Sequence, residues 1–184
     1  MTKFRNLLIA AFIATVVSGC ASIPLSTALQ LSTLKPHSLA QIDPAQVRVK
    51  LSVSSGYEVD IQRTRLKLSL SDSVGTSRTA EMPLSLLLKS SGKRPGGLFS
   101  SDVSVTTYDL ALSPEGTRRL RALQQSLLAT KNGRFEFSVT APFSKTPPNA
   151  DYVKFWADLK LSNKEAYLPL INGAKIKFEH EAGS

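Results

Sequence analysis

The side chains that could carry out chemistry are few. The chain has one cysteine, Cys20, and two histidines, His37 and His180. A thiolate nucleophile or a metal ligand therefore has almost nothing to act with. His37 follows Pro36 in a loop-like stretch, and His180 lies in the terminal run His180-Glu181-Ala182-Gly183-Ser184, so neither sits where a rigid site is built. Glu58, Asp60, Glu136 and Asp158 occupy polar positions of alternating segments, and nothing groups them as a glycosidase would need. No GxSxG, HExxH, CxxC or GxGxxG pattern occurs. The expectation is a protein that is not an enzyme, with no metal and no diffusible cofactor.

Cys20 itself sits in an informative context. Lys3 and Arg5 precede an apolar run from Leu7 to Val17, which closes on Ser18-Gly19-Cys20. A positive start, a short apolar core and small residues before a cut define an export signal. The run is shorter than the roughly 20 residues of a spanning helix. Val17-Ser18-Gly19-Cys20 resembles the lipobox of bacterial lipoproteins. The resemblance covers only Met1 to about Ser22. It implies that residues 1–19 are removed and that Cys20 becomes a lipidated N-terminus, the one covalent group expected. Several acyl chains, at about 0.8 kcal/mol per buried CH₂, make such an anchor effectively permanent. Ala21 and Ser22, rather than an aspartate, follow the cysteine, and in this family that implies sorting to the outer membrane, with the domain expected to face the periplasm.

The mature chain would run from Cys20 to Ser184, long enough for one packed core. No cysteine remains for disulfides, so hydrophobic packing must hold the domain together. The full chain carries +9, and loss of Lys3 and Arg5 leaves +7. A basic domain beside an anionic membrane gains attraction screened over about 10 Å at 0.1 M salt. An anchored envelope protein is not expected to meet nucleic acid.

Residues 20–46 read as a lipidated tether and lead-in, with leucines alternating with serines and threonines and a helical turn expected near Ser38–Ile42. From residue 47 to 184 a single β-rich domain is expected. Val47–Val53 alternates apolar and polar residues, as on a half-buried strand. Tyr57, Val59 and Ile61 continue on odd numbers, and Leu66, Leu68 and Leu70 on even ones, so a bulge or bend near Arg63 must bring both sets to one face. Residues 79–89 read as a strand, at an edge because of Pro83. Ser90–Gly97 reads as a loop, in which Lys93 and Arg94 beside glycines could touch phosphate or an anionic head group. Val103–Leu112 is a further strand. Ser113-Pro114-Glu115 is a helix start, and the helix is expected over roughly 114–131, with Leu120, Leu123 and Leu127 inward. Arg118, Arg119 and Arg121 lie on its other positions. Phe135, Phe137 and Val139 mark a strand, as do Val153, Phe155, Ala157 and Leu159, which put Trp156 on the opposite face. Asn172-Gly173 between two apolar runs reads as a hairpin turn.

The pattern predicts a mainly β domain: an antiparallel two-layer sandwich of about eight strands with one inserted helix, or a partly open barrel. For function it points to a membrane-anchored, non-catalytic binding or assembly module that contacts another envelope protein. Trp156, Arg118, Arg119, Arg121, Lys93 and Arg94 are the contact candidates. The alternative is a carrier or sensor of an apolar or anionic ligand held in a barrel-like cavity.

Overall fold

A computed structural model gives the fold and describes residues 35–72, 77–95, 101–127 and 133–178. The lead-in enters as a short helix, α1 (Pro36–Ala40). A 3-10 turn over Pro44–Gln46 follows, capped by Asp43, whose carboxylate accepts from the Ala45 N–H. The helical turn thus begins two residues before Ser38, at the proline that favours a first-turn position. Leu39 is buried, so this part of the lead-in belongs to the packed body.

β1 (Arg48–Ser54) and β2 (Glu58–Val59) are separated from β3 (Arg65–Asp72) by a 3-10 turn at Ile61–Arg63. That turn is the break expected near Arg63. It brings Tyr57 and Val59 on one side of it, and Leu66, Leu68 and Leu70 on the other, into the same core. Asp60 holds it: its carboxylate accepts from the Arg63 backbone N–H at 3.2 Å and from Arg63 Nε at 2.6 Å. The Arg63 side chain accordingly holds the Asp60 carboxyl below its usual range.

β4 (Ser77–Arg94) is the long element and it serves two partners in turn. Residues up to Pro83 pair with β3, and residues from Leu84 onward pair with β5 (Val103–Leu112). The proline sits where the strand changes partner, and a residue without an N–H loses least there. Its carbonyl accepts from the Ser113 N–H at 3.0 Å. Ser90–Arg94 therefore belongs to a strand and not to the loop its glycine and serines suggest. The β-branched partners Val103, Val105, Thr106 and Thr107 supply the ladder.

α2 (Pro114–Leu127) starts as its sequence requires, with Ser113 Oγ accepting from the Gly116 N–H at 3.0 Å. It buries Leu120, Leu123 and Leu127. Buried Gln124 donates to the carbonyls of Leu39 and Ile42, at 3.0 and 2.7 Å, and so satisfies acceptors left at the end of α1. Gly116 is required by contact: a Cβ there would stand 2.4 Å from the Pro83 carbonyl oxygen.

β6 (Gly133–Thr140), β7 (Phe143–Lys145), β8 (Tyr152–Lys160) and β9 (Leu168–Lys177) complete the described strands. Seven strands form one antiparallel sheet in the order β6-β3-β4-β5-β1-β8-β9, and β2 pairs with β7. The sheet changes partner strand at Pro83 and is nearly closed and barrel-like. Its two ends approach through aromatic rings. Tyr57 stacks on Phe178 just past β9, and Phe143 of β7 packs on both at 6.0 Å.

Asn172-Gly173 does not turn a hairpin. Both flanking runs pair with β8, and the register steps from Phe155↔Ala174 to Ala157↔Ile171. The extra residue makes a bulge, with Gly173 at φ +67. Hairpin turns and glycine bulges need the same left-handed residue. Pairing of both runs with β8, the preceding strand, selects the bulge.

Candidate functional site

Leucines fill the barrel. The space between its wall and α2, lined by residues such as Leu66, Leu68, Met82, Leu120 and Phe137, amounts to ≈10 Å³. That is room for at most one water. A cleft of ≈230 Å³ lies outside it, where Ser38, Gln41, Asp43 and Gln46 of the lead-in face Leu161, Ser162 and Glu165. Gln46 already spends its carbonyl there, with Oε1 accepting from the Asn163 N–H at 3.0 Å and lying 3.3 Å from Ser162 Oγ. Among the described residues no group of three or more His, Cys, Asp or Glu side chains is placed to hold a metal, and no helix is long and apolar enough to cross a membrane.

The sequence-predicted contact residues end in different places. Cys20 and His180 lie outside the described residues. His37 Nε2 lies 2.8 Å from Gln41 Nε2 on the exposed side of α1. Trp156 faces away from Val153 and Phe155 as expected, yet only 2 % of it is accessible. Gly173 closes over it, with a position for Cβ 3.2 Å from the indole nitrogen. Arg118 and Arg119 both pair with Glu115 one turn earlier, and Arg119 also donates to the Glu81 carbonyl. Arg121 is exposed on α2, and Lys93 is exposed near the end of β4. Arg94 does bind an anion, but an internal one: its Nη2 meets Asp158 Oδ2 at 2.5 Å. β5 and β1 stand between these two strands, and neighbouring strands are about 4.8 Å apart. The contact therefore demands a strongly coiled sheet.

Coiling buries part of the face opposite the core. Ser52, Val105, Trp156 and Asp158 all lie there and are nearly inaccessible, with Ser52 Oγ 2.9 Å from Thr107 Oγ1. Lys50 reaches Asp109 at 3.5 Å and lies 4.6 Å from the ring centroid of Tyr167. Lys160 is 5.7 Å from the same ring. Burial pushes the Tyr167 phenol above its ordinary value, against the pull of Lys50. Asp109 and Asp158 thus each face a cation, Lys50 and Arg94 respectively.

The feature that sequence reasoning missed lies on β4. Its register slips between Leu86, opposite Leu110, and Leu88, opposite Asp109. Leu87 is the extra residue, and the slip turns Leu88 from the core face to the outer one. Leu86, Leu87 and Leu88 are 45, 58 and 57 % exposed. Residues 84–94 pair in the sheet only with β5, while the turn at Ile61–Arg63 packs against β4 and Lys89 reaches Glu58 at 3.6 Å. Three successive leucines within a period-two pattern are the signal that could have shown this, since no strand can bury all three on one face.

The chain has no match among protein-family models, curated proteins or solved structures.

Proposed function

We propose that the chain is a lipid-anchored envelope protein of the outer membrane, held through Cys20 and facing the periplasm. Its domain acts as a non-catalytic binding module and takes an extended segment of another envelope protein along the Leu86–Leu88 stretch of β4. The observation that carries this reading is the run of three exposed leucines, Leu86–Leu88, on a stretch of β4 that pairs in the sheet on one side only. Proteins normally blunt a free edge with charge or proline. The edge strand β9 follows that rule, with Pro169, Lys175 and Lys177 along it. The β4 stretch carries Lys89, Lys93 and Arg94 as well, but it presents three exposed leucines ahead of them. A strand added there would gain main-chain hydrogen bonds for affinity and leucine contacts for specificity. Exposed apolar surface of this kind marks contact sites.

Two substitutions in the full-length protein test this reading. Cys20→Ser should abolish acyl labelling and release the protein from membranes, and retention of both would refute the anchor. Leu86→Lys with Leu88→Lys should weaken capture of the partner about thirtyfold, the effect of roughly 1 kcal/mol of burial lost at each leucine. Unchanged capture by a folded variant would refute the edge.

A further inference from the structure

A second surface lies on the face of β1, β8 and β9 that points away from the core. Cross-strand register places Arg48 directly opposite Lys160, and Lys154 directly opposite Lys175. Lys50 and Lys177 share the face, the latter opposite Tyr152. The acids on this face, Asp109 and Asp158, are engaged by Lys50 and Arg94. Asp151 and Glu165 stand at its margins. Like charges directly opposite each other in a sheet are destabilising. Edge protection accounts for Lys175 and Lys177. It does not account for Arg48 and Lys160, which are on interior strands. Internal contacts relieve that pair only in part: Arg48 donates to the carbonyls of Ala45 and Val47, and Lys160 borders the Tyr167 ring.

We propose that this face docks on an anionic lipid bilayer surface. Charge complementarity supports that occupant, because a membrane is an extended anion that would meet the exposed Lys175 and Lys177 together with the half-buried Arg48 and Lys160. The position of the chain entry supports it too. Gln46, which leads into β1, is bonded to the loop that follows Lys160, so the lead-in reaches the domain beside this face. Only residues 21–34 separate Cys20 from the described chain, a reach of roughly 50 Å when fully extended. An anchored domain would stay close enough to the bilayer for the contact to form repeatedly. The proposal is independent of the β4 edge, which lies on another strand.

The test uses the full chain carrying Cys20→Ser, so that acyl groups do not bind it. Its co-sedimentation is measured with vesicles of equal phosphatidylglycerol and phosphatidylcholine, and with phosphatidylcholine alone, at 50 and 500 mM salt. Neutral vesicles set the level due to the apolar leader. The expected result is added binding to the anionic vesicles at 50 mM salt that disappears at 500 mM, where screening is nearly complete. Lys160→Gln with Lys175→Gln should weaken that added binding about thirtyfold, at about fivefold per cation. Arg48→Gln with Lys177→Gln should do the same. Lys67→Gln with Arg134→Gln, on β3 and β6, should leave it unchanged. Equal binding to both vesicle types would overturn the proposal, as would equal losses from the β3 and β6 pair.

Discussion

Arg94→Met removes a cation bonded to a nearly inaccessible carboxylate, and its consequence can be worked from the structure. Asp158 is 8 % exposed, and its side chain keeps 11 % of its surface against 25 % for Arg94. At an effective dielectric of 20 and about 4 Å between charge centres, the gross attraction is about 4 kcal/mol. Desolvation of the two ions cancels much of it, so the intact pair adds little net stability. Breaking it is different, because the carboxylate then stays buried alone. Full burial would set that cost at about 3–5 kcal/mol. The partly exposed arginine and the neighbouring Lys50 lower it, so about 2–3 kcal/mol is expected for Arg94→Met. Asp158→Asn should cost only about 1 kcal/mol, since the amide still accepts a hydrogen bond and the arginine can turn to water. Urea unfolding of both variants and of the double variant gives the coupling energy, expected at 1–2 kcal/mol with an unchanged denaturant slope. If Arg94→Met is as mild as Lys93→Met, or the coupling falls below about 0.3 kcal/mol, the coiled sheet that brings these strands together is not the fold in solution.

Three further outcomes follow from local geometry. Gly173→Ala should cost about 2 kcal/mol, because φ +67 strains any Cβ and this one meets the indole; fluorescence of the single tryptophan should shift with it. Gln124→Leu leaves the Ile42 carbonyl short of a donor, while the Leu39 carbonyl keeps the Ile42 N–H, so about 1 kcal/mol should be lost. Amide exchange should rise first in α1, and unchanged protection there would refute the role given to Gln124. Burial raises the phenols of both Tyr57 and Tyr167. With folded values above the unfolded value of about 10, their contribution to stability is complete below pH 10 and is lost as pH rises through the folded values. Urea midpoints measured from pH 8 to 11 should therefore fall only at the alkaline end, and Tyr167→Phe should reduce that fall.

Much of this architecture is written in local pattern. The alternations at Val47–Val53, Leu66–Leu70, Phe135–Val139 and Val153–Leu159 each became a strand with the expected face inward. Ser113-Pro114-Glu115 began the helix because a hydroxyl cap and a residue without an N–H solve a problem confined to one turn. The misreadings share a different cause. Ser90–Arg94 has the composition of a loop, but its state was decided by pairing with Val103–Thr107 across a connection. Asn172-Gly173 has the backbone freedom for a hairpin or a bulge, and β8 chose the bulge. For Trp156 alternation gives the side of the strand, while coiling of the whole sheet decides whether that side is wet. For the same reason a barrel-like closure could not be told from a sandwich by periodicity alone. At the candidate edge the residues were visible and their exposure was not, since one inserted residue at Leu87 reversed the phase of the strand.

The measurement that bears most directly on the account is position-specific photocrosslinking in living cells. A photoreactive residue is placed at position 87 of the full-length protein, and in parallel at position 136 on the exposed side of β6. The account predicts one discrete crosslinked envelope protein from position 87, absent from position 136 and lost when Leu86 and Leu88 are lysine. No position-specific product from 87, or a product that is only a second copy of this chain, would contradict the assignment of the β4 edge as the site for another envelope protein.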